Sequence, residues 1–186
     1  CPVVFFSFKD TDGLTFESAY GMLCMKLAFA FQDYQFLLDD DAISDDDKGI
    51  FKRILGRTAS MDETKSCFLL LTRMLEIHFK KSAVVILDEY DVPIAKASSN
   101  GYYSQMLDVM RAIMSTTLKD NTSLDFAVVT GCLKIAKESI FTGTNNFVSD
   151  TILSPRLSES FGFTQADVDQ MLKDAGLESQ SAEIKA

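Results

Sequence analysis

Asp88 and Glu89 are the residues of this sequence best placed to do chemistry. They stand side by side at the end of Ala83-Val84-Val85-Ile86-Leu87, an apolar run with three β-branched members and no polar break. Such a run predicts a strand buried on both faces of a parallel sheet, because a strand with one wet face would alternate. The two carboxylates then fall at the strand's carboxyl end, the edge of open α/β sheets where ligands bind. This is the pattern of a Walker B segment. There the first acid holds a magnesium ion, directly or through water, and the second polarises a water for attack on a terminal phosphate. A solvated Asp-Glu turn has the same pattern, so the pattern alone does not separate the two readings.

Other elements must hold that strand in place. Pro2 to Phe8 reads as a first strand, since proline is allowed at a strand's start and β-branched and aromatic residues follow. After a turn at Lys9–Gly13, a helix is expected from about Phe16 to about Leu37, with Tyr20, Leu23, Leu27, Ala30 and Phe31 on one apolar side. Asp39 to Asp47 is the most acidic stretch. It lacks the alternating acids, central glycine and terminal glutamate of an EF-hand, so a solvated loop is expected. Ser44 with Asp47, and Ser60 with Glu63, have capping-box spacing and predict two helix starts. The first helix runs through Ile50, Phe51, Ile54 and Leu55; the second carries Cys67, Leu70, Leu71, Met74, Leu75 and His78.

Past the acids, the chain is expected to turn at Tyr90–Pro93 and to cross a polar loop, Ala97–Gly101. Tyr103, Met106, Leu107, Met110, Ile113, Met114 and Thr117 then recur at helical spacing, and core packing explains this methionine stripe better than a partner surface does. Leu124 to Val129 predicts a second buried strand, ending at Thr130 and Gly131. Thr164 and Asp167 predict a last helix, with Phe163 against Val168 as a hydrophobic staple and an end near Ala175-Gly176.

Three stretches in order, VVILDEYDVPI, VVTGCLKIAKESIFTGTNNF and FGFTQADV, resemble the AAA-ATPase-like family of bacterial P-loop proteins. The resemblance implies ATP and Mg2+ as cofactors. It implies Asp88 as the magnesium ligand, Glu89 as the group that orients the attacking water, Thr130 as a polar sensor of that water or of the terminal phosphate, and Lys134 as a phosphate contact. Family members often carry arginine in place of Lys134 and a larger apolar residue in place of Thr144. Lysine cannot grip a phosphate in bidentate fashion, so that contact would be looser. On the residues alone, Thr130 is equally a strand-end cap, and Lys134 and Lys137 are surface charges near Glu138. The expected fold is a three-layer P-loop core of the ASCE/AAA-like type with a mostly parallel sheet over residues 1–160, followed over 161–186 by the beginning of a helical lid and a polar tail.

Composition narrows the partners. The chain has 186 residues, 47% of them hydrophobic, enough for one sizeable core. The formal net charge is -9, from 27 acids against 18 bases, and no Lys/Arg cluster exceeds a pair. That argues against binding of nucleic acid or anionic membrane through this segment. Proteins resembling this family often carry a restriction-type nuclease domain beyond the lid, and any contact with nucleic acid would reside there. An acidic domain still binds ATP, because local cations and backbone amides set the field at a phosphate site. Cys1, Cys24, Cys67 and Cys132 contain no C-x-x-C pair and make a poor zinc set with the single His78, so reduced, mostly buried thiols in a cytoplasmic protein are expected. His78 suits a structural or helix-terminus role. No run reaches transmembrane length and no signal peptide is evident.

The sequence contains no G-x-x-x-x-G-K-[ST] loop, whose amides and lysine hold the β- and γ-phosphates. The resemblance begins after that loop. By family analogy the absent strand belongs inside the sheet beside the strands carrying Asp88 and Thr130, so an apolar gap and unpaired backbone are expected without it. Two readings stay open. One is an ATPase domain that supplies the Walker B and sensor segments but not the phosphate loop, and is inactive by itself. The other is a degenerate, non-catalytic domain that binds a protein partner or itself.

Overall fold

The computed structural model describes residues 1–119, 121–132, 140, 148–151, 154, 156, 159–160, 162–177 and 179. By contact density the chain forms two units, Cys1–Asn145 and Asn146–Ala186.

In the first unit the runs of β-branched and aromatic residues make, among the described residues, three strands, β1 (Val3–Ser7), β2 (Ala83–Asp88) and β3 (Leu124–Val129). They pair in the order β1-β2-β3 and all run parallel. The strands carrying Asp88 and Thr130 are direct neighbours, so no gap separates them. A parallel α/β arrangement is therefore what this sequence forms.

Register assigns the two faces. Val4, Val85 and Ala127 line up on one face with Phe6, Leu87 and Val129 beside them, while Val3, Val84 and Phe126 share the other with Phe5, Ile86 and Val128. The first face is covered by helices, and Val4, Phe6, Val85 and Leu87 are buried. On the second face Phe5 is 58% exposed and Phe126 54%. Burial on both faces thus applies to the central strand more than to its neighbours, and β3, expected to be buried, is half exposed.

Helices α1 (Phe16–Gln32), α2 (Asp45–Leu55), α3 (Met61–Lys65) and α4 (Cys67–Phe79) connect β1 to β2; α5 (Val92–Asn100) and α6 (Tyr103–Leu118) connect β2 to β3. Crossovers between parallel strands need connections of this length. Phe8, Phe31, Phe51, Phe68, Leu71 and Met74 are fully buried, and Phe6 meets Phe8 and Phe68 edge-on with ring centroids 4.9 and 5.2 Å apart. Each such side chain contributes about 1.5–3 kcal/mol of transfer free energy. The methionine stripe of α6 is core: Met106, Met110 and Met114 are buried, and α6 packs on α3, α4 and α5.

Three boundaries differ from the sequence reading. Helix α1 stops at Gln32, and a 3-10 turn over Gln35–Asp39 buries Leu37 while the Tyr34 hydroxyl donates to the Val3 carbonyl at 3.1 Å. The helix begun at Ser60 breaks at Ser66, whose N–H reaches the Asp62 and Glu63 carbonyls, so α3 and α4 are separate. Ala97–Asn100 is not a loop but the end of α5, which starts with Pro93 in its first turn and stops at Gly101, φ 82°. Its serines face water while Ile94 and Ala97, one turn apart, are buried.

Caps follow the sequence more closely. Ser60 and Glu63 form a full capping box. Ser44 accepts from the Asp47 N–H at 3.2 Å, but the Asp47 carboxylate pairs with Arg73 instead of closing the box. Two of the four cysteines expected to be mostly buried, Cys1 and Cys132, are exposed, and all four are free thiols.

In the second unit, helix α7 (Gln165–Asp174) opens on a capping box between Thr164 and Asp167. Phe163 is 74% exposed, so the expected staple onto Val168 does not bury it. Arg156 pairs with Asp150. Among the described residues no helix is long and apolar enough to cross a membrane.

Candidate functional site

The parallel strands deliver three chain segments to one sheet edge. Ser7 is registered with Asp88, and the Phe8 N–H donates to the Asp88 carbonyl at 2.9 Å. On the other side the Thr130 N–H donates to the Leu87 carbonyl at 2.9 Å, and the Tyr90 N–H donates to the Thr130 carbonyl at 3.2 Å. These backbone bonds carry the ladder past the last paired residues. They place the exposed Thr130 hydroxyl on Asp88 Oδ1, to which it donates a hydrogen bond. Two of the residues singled out from the sequence are thus in direct contact across 42 positions of chain.

Asp88 is half-buried, and the Thr130 hydrogen bond is the one its carboxylate makes among the described residues. Glu89, also half-buried, has left-handed backbone at φ 53°. For a residue with a Cβ that conformation costs about 1–2 kcal/mol. The Val92 N–H closes the turn by donating to the Glu89 carbonyl at 3.1 Å, which swings the chain from β2 into α5. The Glu89 side chain makes no hydrogen bond or ion pair among the described residues. Lys134 lies outside the described residues.

Two neighbours that the sequence pattern assigns only to turns sit at the centre of this edge. Asp91 is 3% exposed and stands at the N-cap of α5, yet its side chain does not cap the helix. It reaches across to the β3 side, where Oδ1 accepts the Cys132 N–H at 3.3 Å. Gly131 lies between. A Cβ there would be 2.5 Å from Asp91 Oδ1 and 2.8 Å from the Tyr90 ring, so a residue without a side chain is required for this approach. A third acid following Asp88-Glu89 and a glycine following Thr130 are the only sequence signals of this contact, and neither is specific.

The edge offers hard oxygen donors: a carboxylate, a hydroxyl and a second carboxylate. Among the described residues no cluster of three or more His, Cys, Asp or Glu is arranged to hold a metal ion. An all-protein metal cage is therefore not what these residues build. One carboxylate plus a hydroxyl suits a cation that keeps waters and takes its remaining ligands from phosphate, as magnesium does.

Other polar clusters are structural. His78, on the last turn of α4, has Nδ1 2.7 Å from Asp40 Oδ2 and lies between the rings of Phe36 and Phe79. An open groove of about 600 Å³ runs past Phe16, Tyr20, Cys24, Arg57 and Met61 and contains neither Asp88 nor Glu89. Burial pushes the Tyr20 hydroxyl up to about 12, and burial likewise raises the Cys24 thiol beneath it, so neither is an activated nucleophile.

Comparison with known proteins places the chain beside a family and a relative. The model of the AAA-ATPase-like family, described as predicted AAA-ATPase, matches residues 1–141. An uncharacterized protein encoded in the vnfD 5' region of Azotobacter chroococcum mcd 1 is 30% identical over 121 residues, 64% of this chain and 23% of that protein. The chain thus spans under a quarter of that relative's length. No solved structure matches it.

Proposed function

The chain belongs to the AAA-ATPase-like family of predicted AAA-ATPases, and on that premise we propose that Asp88, Glu89 and Thr130 are the magnesium-holding and water-handling edge of an ATP-hydrolysing site. The observation that carries this reading is the hydrogen bond from Thr130 to Asp88 across the ends of two adjacent parallel strands, with the Glu89 carboxylate, unengaged among the described residues, next in the chain.

Each residue has a distinct task in this reading. Asp88 holds magnesium through the carboxylate that Thr130 orients. Glu89 takes the hydrogen bond of the attacking water and turns its lone pair toward the terminal phosphate. Its left-handed backbone, φ 53°, turns the chain out of the strand at this residue. Thr130 reports the terminal phosphate or that water to the β3 side, and Lys134 adds a point charge. Magnesium, when bound with ATP, neutralises charge on the phosphates. The phosphate loop absent from this sequence comes from polypeptide outside it, so the 186-residue chain alone does not turn ATP over. Residues 1–160 then act as the core and 161–186 as the start of a lid, in a cytoplasmic protein.

A second reading, a non-catalytic interaction domain, is favoured by the missing loop together with the exposed apolar sheet face at Val3, Phe5, Phe126 and Val128. Calorimetry with Mg-ATP decides between them. Binding by the chain extended upstream in its native frame, with turnover lost in Glu89→Gln, is the expected result; absence of binding by the extended chain would remove the ATPase reading.

A further inference from the structure

We propose that Asp91 is a positioning residue for the same edge: its carboxylate locks the turn after β3 to the turn after β2, and so fixes where the Thr130 hydroxyl stands relative to Asp88 and Glu89. This rests on the ATPase reading for its catalytic consequence, but the lock itself is a matter of structure.

The argument begins with an exception. Aspartate at an N-cap ordinarily accepts an N–H from its own helix, and that bond stabilises the helix start. Asp91 occupies the N-cap of α5 without making it. The carboxylate is instead nearly fully buried and turned to the Cys132 N–H on the neighbouring segment. Burying a carboxylate is costly unless hydrogen bonds compensate, and the Cys132 N–H across the two turns is one that does.

Gly131 shows how closely the turns approach. The space its Cβ would need is filled by Asp91 Oδ1 and the Tyr90 ring. The backbone adds a second tie, from the Tyr90 N–H to the Thr130 carbonyl. Two anchors to residues 90 and 91 therefore hold the chain at the Thr130 carbonyl and two residues on at Cys132, with the Thr130 hydroxyl on Asp88. Displacing Cys132 would rotate the Thr130-Gly131 peptide and carry the hydroxyl off the Asp88 carboxylate. The acid turn and the sensor turn behave as one rigid unit because Asp91 joins them.

The test uses the native full-length polypeptide. Asp91→Ala is expected to lower kcat about 100-fold, the scale of a 1 Å misplacement, while KM for ATP stays within about 3-fold. Asp91→Asn, whose amide oxygen still accepts the Cys132 N–H, is expected to recover most of the rate, and Gly131→Ala to resemble Asp91→Ala by forcing the turns apart. Asp91→Ala combined with Thr130→Ala should fall no lower than Thr130→Ala alone, since a lost hydroxyl cannot be misplaced. Full additivity, or an Asp91→Ala enzyme with normal kcat, would overturn the proposal.

Hydrogen exchange of the peptide covering residues 124–132 gives a readout free of ATP. Exchange should quicken in Asp91→Ala and not in Asp91→Asn; unchanged exchange in Asp91→Ala would sink the lock even if turnover fell. Should the wild-type polypeptide show no turnover, the ATPase reading fails by itself, and the exchange result still decides whether Asp91 holds the sensor turn.

Discussion

The chain has two acid-rich segments, and they are put to opposite uses. Between Asp39 and Asp47 six of nine residues are aspartate; between Asp88 and Asp91 three of four are acidic. In the first segment carboxylates are engaged by structure close at hand. Asp40 accepts the Ala42 N–H at 2.9 Å and faces His78, Asp47 pairs with Arg73, and Asp45–Asp47 lie in the first turn of α2, where the helix dipole favours negative charge. In the second, Asp91 is drawn inward to tie two turns together, while Glu89 is left without a protein partner among the described residues. Density of acids says little about chemistry. What distinguishes the two segments is whether the fold has used the carboxylates.

The largest expected effect tests that distinction at Glu89. If this carboxylate is reserved for chemistry, Glu89→Gln in the full-length polypeptide should cut ATP turnover by about 10²–10⁴-fold, the usual contribution of a general base. Its Mg-ATP affinity and melting temperature should stay close to wild type. A drop in melting temperature without a drop in turnover would mean that Glu89 is structural like the aspartates of the first segment.

The converse substitution belongs to Asp47, which is 8% exposed and pairs with a half-exposed arginine. Asp47→Ala should destabilise the protein by about 1 kcal/mol, as expected for a partly exposed pair at a helix start, and lower the melting temperature by about 2–4 °C. Mg-ATP titrations should be unaffected. A change in nucleotide affinity greater than the change in stability would break the contrast between the segments.

The sequence was legible where one local rule decides the outcome. The strand ending at Asp88 follows from an unbroken apolar run, and the caps at Ser60 and Thr164 follow from spacing of three. The contact of Thr130 with Asp88 is different in kind. It depends on β2 and β3 being neighbours, a fact of topology that no single segment contains. The end of α5 was obscured because Ser98-Ser99-Asn100 reads as a loop, while burial of Ile94 and Ala97 keeps it helical. The half-exposed β3 was obscured because apolar composition does not show whether anything covers a face. Asp91 was illegible for a similar reason: an aspartate before a helix signals a cap, and only the proximity of Gly131 and Cys132 redirects it.

The smallest effect concerns pH and sharpens the comparison from the structural side. Glu63 is held down to about 2 from its ordinary 4.5, chiefly by its hydrogen bond from Arg53 and then by the Ser60 N–H of the capping box. Asp40 is also held below the usual carboxylate range, first by the Ala42 N–H and then by His78. A carboxylate whose pKa is lower in the folded state binds its proton more readily when unfolded, so its contribution is complete above the unfolded value and is lost as pH falls through the folded one. Thermal melts should therefore decline progressively from about pH 4.5 toward 2. Glu63→Gln and Asp40→Asn should each flatten part of that decline, because each removes a carboxylate that the fold holds ionised. An acid limb that kept its full slope in both variants would show that these two carboxylates are not committed to holding the fold, and would break the comparison from its structural side.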